Sequence, residues 1–285
     1  MTDLLTSLRP KQWIKNLVVF AGIIFSRNLT DWSMEWKTWI TFIAFCAVVS
    51  AGYLVNDIID REGDRHHPIK KNRPIASGRL GVGKALGAIV VLVLPALAGG
   101  YLVDPLLPVF LTAYIVVQLS YSLYLKNLII LDVLLISAGF VIRAVAGAAV
   151  IHVPISAWLV VCTMLLALFL GLAKRRAELV LLEDQAANHR RNLEHYSIEL
   201  VDQMISVTAS ATLVSYALYT FTAFEHTRNM MLTIPFVLYG IFRYLILVHT
   251  HLRGGSPEQV MLTDKPLLMD VILWVVTVAV VLQWN

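Results

Sequence analysis

Charge is scarce in this chain of 285 residues: Asp, Glu, Lys and Arg together make up 15%, where ordinary soluble domains carry about 25%. That scarcity excludes a disordered chain, a nucleic-acid-binding domain with a basic surface and a routine soluble enzyme. Cysteine is nearly absent as well. Cys46 and Cys162 both fall inside apolar runs, so neither a disulfide framework nor a metal knuckle is implied. What is plentiful is apolar surface, with 58% hydrophobic residues and a mean hydropathy of +0.72. The pI of about 9.1 arises from basic residues standing between the apolar runs. This is the composition of an all-α, polytopic membrane protein.

A spanning helix takes about 20 mostly apolar residues. The stretches 38–55, 85–103, 105–125, 153–173 and 204–224 meet this with no charge at all. Stretch 133–151 carries Arg143, stretch 229–248 carries Arg243, and 266–284 has Asp270 near its start. Stretch 13–26 is short, with Lys15 at its edge, and spans only by snorkelling or local thinning of the bilayer. A secretory signal is the lesser reading there, because no small-residue cleavage site follows. Nine spans are expected. With nine, 18 Lys and Arg fall on one side and 3 on the other, the two intramembrane arginines completing the 23. By the positive-inside rule the N-terminus is cytoplasmic and the C-terminus outside. The expectation is one multi-pass domain over 1–285 in the cell (inner or plasma) membrane. Its chemistry would sit on the cytoplasmic face, in loops 56–84 and 174–203.

An acidic run continues the second span. On a helix Asn56, Asp60 and Asp64 fall at i, i+4 and i+8, with Asp57 three residues before Asp60, so four oxygen-bearing side chains crowd one face. Like charges so placed repel unless a cation neutralises them. Carboxylate and amide oxygens suit a hard divalent ion, and Mg²⁺ commonly joins carboxylates to substrate phosphates. The plainer alternative is a solvated loop that begins acidic. Arg65, Lys70, Lys71, Arg73 and Arg79 follow, in a loop shaped by Pro74 and Gly78. Cations beside a chelating set are what a diphosphate ester needs, although several of them also serve topology. His66 and His67 have no further ligands to join and stay unassigned.

The pattern Asn-Asp-x-x-Asp-x-x-x-Asp from Asn56, followed by Arg73-Pro74-Ile75-Ala76-Ser77-Gly78, resembles the first aspartate motif of the UbiA-type intramembrane prenyltransferase superfamily. The resemblance implies a nine-helix bundle in which Mg²⁺ and this motif hold a diphosphate donor. Asn56, Asp57, Asp60 and Asp64 become the metal set, with Asp57 and Asp60 the catalytic pair. The superfamily's second pair of aspartates, after span six, is missing. Lys174-Arg175-Arg176-Ala177-Glu178-Leu179 stands in its place, and Glu178 or Glu183–Asp184 remain as residual acids. With the segments 8–16, 121–126, 139–144 and 255–258, this resembles one branch, the decaprenyl-phosphate phosphoribosyltransferases. That branch moves 5-phosphoribose from phosphoribosyl pyrophosphate (PRPP) to a polyprenyl phosphate, releasing pyrophosphate, for cell-envelope arabinan precursors.

Two phosphorylated substrates bring more anionic oxygen than a prenyl diphosphate and a phenol, and trading aspartates for cations answers that. The lipid phosphate is already anionic near pH 7 and needs no strong base, in keeping with a sequence that shows no catalytic dyad. Lys11, Lys15, Arg65, Lys70, Arg73, Tyr121, Lys126, Arg143, Lys174, Arg175 and Arg176 are the expected substrate contacts. For Arg143 two roles stay open, a substrate phosphate, which is favoured, or a pairing with Asp132 or another buried acid. Arg243 leans to structure, near Tyr239 and Tyr244. Tyr121 and Tyr124 are open between interfacial belt and substrate contact. Segment 178–202, with His189, Arg190 and Arg191, is open between a cover and a connector. Trp13, Trp32, Trp36, Trp39 and Trp284 read as interface anchors. A homo-oligomer is left open. An aromatic polyprenyltransferase of the 4-hydroxybenzoate type would rely on the missing acidic motif. A transporter would show polar breaks at mid-membrane and an internal repeat.

Overall fold

The structure, a computed structural model, describes residues 2–68, 70–183, 196–222, 228–250 and 256–283. Every regular element among them is helical. Eight helices are long and apolar enough to cross a membrane. They correspond to expected spans two to nine, and the chain is a multi-pass membrane protein. In chain order, α1 (Thr2–Leu8) and α2 (Ala21–Phe25) flank a 3₁₀-helix over Pro10–Phe20. There follow α3 (Trp32–Ile59), α4 (Arg61–His66), α5 (Val82–Val103), α6 (Leu106–Leu123), α7 (Leu131–Val150) and α8 (Ala157–Glu183). The last four are α9 (Ile198–Thr222), α10 (Ile234–Thr250), α11 (Pro257–Thr263) and α12 (Lys265–Gln283). Asp31 caps α3, its Oδ1 accepting from the N–H of Ser33 at 2.8 Å and of Met34 at 3.3 Å.

The expected first span takes a different form. At roughly 2.0 Å per 3₁₀ residue and roughly 1.5 Å per α residue, Pro10–Phe20 and Ala21–Phe25 together reach about 30 Å, the hydrocarbon thickness. A 3₁₀-helix turns once in three residues, so its faces repeat every third position. Trp13, Asn16 and Val19 form one face, turned to α3 and α7. Trp13 Nε1 donates to Ser50 Oγ at 3.0 Å and Asn16 Nδ2 to Cys46 Sγ at 3.2 Å. Trp13 is therefore tied into the bundle rather than anchoring an interface, whereas Trp32 and Trp39 are exposed. Gln12 and Lys15 form a second face, turned to α11.

The charged segment expected as a loop from residue 174 begins as helix. α8 continues through Lys174, Arg175 and Arg176 to Glu183, because no Gly or Pro falls between 174 and 183 and each arginine finds a carboxylate. Residues 184–195, with Asp184, His189, Arg190 and Arg191, lie outside the described residues, as does Trp284.

Helix α7 holds the centre, packing on α3, α6, α8 and the 3₁₀-helix. Its run Ala144, Ala146, Gly147, Ala148, Ala149 is buried. Small residues let membrane helices approach until backbones touch. A Cβ on Gly147 would stand 1.9 Å from the Val19 carbonyl oxygen, and one on Gly22 would stand 2.7 Å from Ala148 Cα. Neither neighbour is a flexible side-chain end that could swing aside. Gly147→Val is therefore expected to cost about 1–3 kcal/mol or more through overpacking. A lowered Tm in detergent checks this, and an unchanged Tm would contradict the close crossing.

Candidate functional site

The acidic motif sits where α3 ends. Ser50, Leu54, Asp57 and Asp64 follow one helical face inward and all are buried, while Asp60 at the α3–α4 junction is more open. The motif acids thus differ in burial, Asp57 and Asp64 turned inward and Asp60 more open. Among the described residues no three of His, Cys, Asp or Glu converge on a point that could hold a metal ion. Protein cations reach the carboxylates instead. Arg9 Nη2 lies 2.6 Å from Asp57 Oδ1, and its guanidinium stacks 4.6 Å from the Tyr53 ring centre. Arg73 Nη1 bridges Asp57 Oδ1 at 3.3 Å and Asp64 Oδ2 at 2.6 Å. Lys126 Nζ meets Asp60 Oδ1 at 3.1 Å. Each carboxylate spends one oxygen in these pairs, so hard oxygen donors of the kind Mg²⁺ takes are present, with the Asn56 amide beside them.

Local folding fixes these cations. Arg9 is held in the left-handed region, φ 51°, at the start of the 3₁₀-helix, a conformation uncommon outside glycine. Ser50 Oγ secures that corner by donating to the Leu8 carbonyl at 3.0 Å. Arg73 opens a turn in which the Ser77 N–H donates to the Arg73 carbonyl at 2.9 Å and the Leu80 N–H to the Pro74 carbonyl at 2.9 Å. Gly78 completes the turn at φ 79°. Ile75 and Leu80 plug it into the apolar cluster of Leu54 and Ala85.

A second group of charge lies inward along the 3₁₀-helix. Glu258, on α11, is buried; its Oε1 accepts from Gln12 Nε2 at 2.7 Å and its Oε2 lies 3.2 Å from Lys15 Nζ. Lys174 and Arg143 are near enough to Lys15 to repel its charge. Arg143 is 5% exposed. Its Nε donates to the Gly139 carbonyl at 2.8 Å and its Nη1 to Asn16 Oδ1 at 2.9 Å, and it stacks on Phe140 and Tyr114. No carboxylate among the described residues pairs with it. The alternative pairing with Asp132 is overturned, since Arg175 takes that carboxylate.

The other expected contacts are spent elsewhere. Arg175 is wholly buried between Asp132, 2.7 Å away, and Glu178, with Nη2 donating to Tyr121 Oη at 3.3 Å. Arg176 Nε meets Asp202 Oδ1 at 2.6 Å. Lys174 alone of the three keeps a half-exposed ammonium, 4.0 Å from Glu178. Arg65 folds back on Glu62 at 2.9 Å and the Ala76 carbonyl at 3.3 Å. Lys11 and Lys70 are exposed, and Tyr124 is exposed at the end of α6. Arg243 forks onto Asp264 at 3.1 and 2.8 Å, a structural role, while Tyr244 turns to Phe169. Arg9, Asn16 and Glu258 lie in segments 8–16 and 255–258, which carried the resemblance without a site role for these three, and Tyr53 was not singled out. The three-residue spacing of Gln12 and Lys15 and of Trp13 and Asn16 was the available signal.

Comparison with known proteins follows the same outline. The model of the UbiA prenyltransferase family matches residues 17–264. The chain is 35% identical to a decaprenyl-phosphate phosphoribosyltransferase of Corynebacterium glutamicum, over 95% of this chain and 84% of that one. It is 32% identical to a protein of the same name from Mycolicibacterium smegmatis, over 100% and 94% of the two chains. A solved UbiA homolog from Archaeoglobus fulgidus, bound to GPP and Mg²⁺, superposes with a TM-score of 0.75 at 15% identity, covering 98% and 99% of the two chains. That last likeness is one of fold.

Two outcomes are expected. Arg175→Leu strands the buried Asp132 and costs about 3–5 kcal/mol, whereas Lys174→Ala changes stability by no more than about 0.5 kcal/mol. Thermal unfolding in detergent separates the two, and equal losses would sink the division of roles. Burial pushes the Glu258 carboxyl up, but the Lys15 charge, the Gln12 hydrogen bond and its own backbone N–H together hold it below its ordinary value of 4.5. A carboxyl lowered by folding lends stability that is complete above the unfolded value and disappears as pH falls through the folded one. Glu258→Gln should therefore lower Tm at pH 7, with the gap to wild type closing as pH falls below 4.5.

Proposed function

Because the chain belongs to the UbiA prenyltransferase family, we propose that it is a membrane transferase moving 5-phosphoribose from PRPP to decaprenyl phosphate, with release of pyrophosphate. The observation that carries this reading is the likeness, along nearly the whole chain, to proteins named for that reaction. The geometry supports it through a surplus of cation. Arg9, Arg73 and Lys126 surround the motif carboxylates, Lys15 pairs with Glu258, Lys174 keeps a half-exposed ammonium near Glu178, and among the described residues no acid pairs with Arg143. The surplus does not come from Arg175 and Arg176, whose charges are matched inside the fold. A buried cation without a counter-ion is an expense that a bound phosphate removes.

In this reading the motif faces the cytoplasmic side of the plasma membrane, as the expected nine spans and the positive-inside rule would have it, where PRPP is available. Arg9, Arg73 and Lys126 take the pyrophosphate, turning from carboxylate to phosphate oxygen as it enters. Lys15, Lys174 and Arg143 hold the phosphate groups on the side of the 3₁₀-helix. The lipid phosphate, anionic near pH 7, attacks C1 of the ribose. Its oxygen bonds to C1 as the C1–oxygen bond to pyrophosphate breaks, and no protein base is required. Asn56, Asp57, Asp60 and Asp64 would hold Mg²⁺, which neutralises charge on the leaving pyrophosphate when bound.

The test uses purified protein in detergent or liposomes with labelled PRPP, Mg²⁺ and decaprenyl phosphate. A charged lipid carrying labelled phosphoribose is the expected product. Asp60→Asn should fold normally and lose about 100-fold or more in kcat/KM. Turnover with a prenyl diphosphate and a phenolic acceptor, and none with PRPP, would overturn the reading.

A further inference from the structure

Three buried polar atoms that make no hydrogen bond belong to side chains grouped around Glu258: Gln12 Oε1, Tyr244 Oη and Glu258 Oε2. Gln12 is bonded to Glu258 through its Nε2 at 2.7 Å, and the charge of Glu258 acts on the Tyr244 phenol. Tyr244 is 4% exposed and Glu258 8%. Glu258 Oε2 has the Lys15 ammonium at 3.2 Å, in an ion pair without hydrogen-bond geometry. Buried polar atoms are ordinarily satisfied, so several orphans around one carboxylate point to a ligand that completes them. The same group borders the motif, since Tyr53 feels the charges of both Glu258 and Arg9, and Arg9 holds Asp57.

The donor and acceptor inventory specifies the ligand. An amide oxygen and a carboxylate oxygen only accept, and a phenol both donates and accepts. A phosphate cannot answer two acceptors, one of them charged. A prenyl chain has nothing to donate. Neighbouring hydroxyl groups fit, each giving one hydrogen and accepting another.

We propose that Gln12, Tyr244 and Glu258 form the seat of the ribose 2- and 3-hydroxyls of the donor. The inference rests on the phosphoribose reading and deepens it. It gives the site a reason to choose a sugar over an isoprenoid, beyond the charge of the phosphates. Lys15, beside the carboxylate, then ties the sugar seat to the neighbouring phosphate cations. A site built to bond a hydroxyl discriminates strongly against an analogue lacking it, because its own buried groups are left unpaired.

The experiment compares PRPP with its 2-deoxy and 3-deoxy analogues as donors to decaprenyl phosphate, in wild type, Tyr244→Phe and Glu258→Gln. Wild type should favour PRPP over at least one analogue by about 100-fold or more in kcat/KM. In the variants that ratio should fall by about 10-fold or more, mainly through slower use of PRPP. The ratio is taken within each preparation, so a smaller folded fraction cancels. Tyr244→Phe keeps the ring against Phe169, 5.5 Å between centres, and carries the test alone if Glu258→Gln fails to fold. Wild type indifferent to the missing hydroxyls, or variants that keep the full ratio, would overturn the seat while leaving phosphoribose transfer standing. Wild type with no phosphoribose transfer at all would overturn the functional reading, and the seat with it.

Discussion

Charge inside a low-dielectric interior must be matched, and the end of the bundle that carries the acidic motif is laid out by that constraint. Asp57 is its fixed point. One oxygen of this buried carboxylate receives both Arg9 and Arg73, which arrive from the N-terminal corner and from the turn after α4. Two separate pieces of chain are thereby pinned to the end of α3. The pinning is possible because Arg9 occupies a left-handed backbone position and because Ile75 and Leu80 anchor the turn behind Arg73. Repulsion among the motif acids is relieved by the protein's own cations, so the fold does not wait on an ion to become tolerable.

The same constraint sorts the remaining cations into matched and unmatched. Arg175, Arg176, Arg65 and Arg243 each meet a carboxylate within 3 Å; Arg175 and Arg176 fasten α8 to α7 and α9, Arg243 ties α10 to the start of α12, and Arg65 stays within α4. Arg143 does not. It is steadied by an amide, a carbonyl and two aromatic faces, all of which leave its charge intact. Lys15 stands close by, paired with Glu258, while Lys174 lies toward Glu178. In the proposed function Arg143 is the place where an arriving anion lowers the electrostatic cost of the folded state.

Much of the fold was legible in the sequence because hydropathy over about 20 residues is a direct demand of the bilayer. Eight apolar stretches became the eight long helices, with ends shifted by a few residues. The N-terminal stretch was less legible. A period of 3.6 does not bring Trp13, Asn16 and Val19 together, whereas the three-residue turn of a 3₁₀-helix does. The acidic motif was legible as chemistry, since four oxygen ligands beside a bilayer need a reason. Its partners were not. Nothing in Lys174-Arg175-Arg176 reveals that the middle residue points into Asp132 while the first stays half exposed; that depends on how α7 and α8 pack.

Glu258 marks the limit of motif reading most sharply. It is 246 residues from Gln12, follows a proline, and on sequence is one acid among 19 Asp and Glu. Only the folded chain makes it the counter-charge to Lys15, and the three-residue face of the 3₁₀-helix stacks Gln12 and Lys15 directly above one another beside it. A straight α-helix over 10–20 would separate those two by about 300° rather than a full turn, at 3.6 residues per turn. The unusual helix thus aligns the carboxylate's two partners along one edge. The proposed sugar seat and phosphate cations then depend on the backbone geometry set where the chain enters the bundle at Arg9.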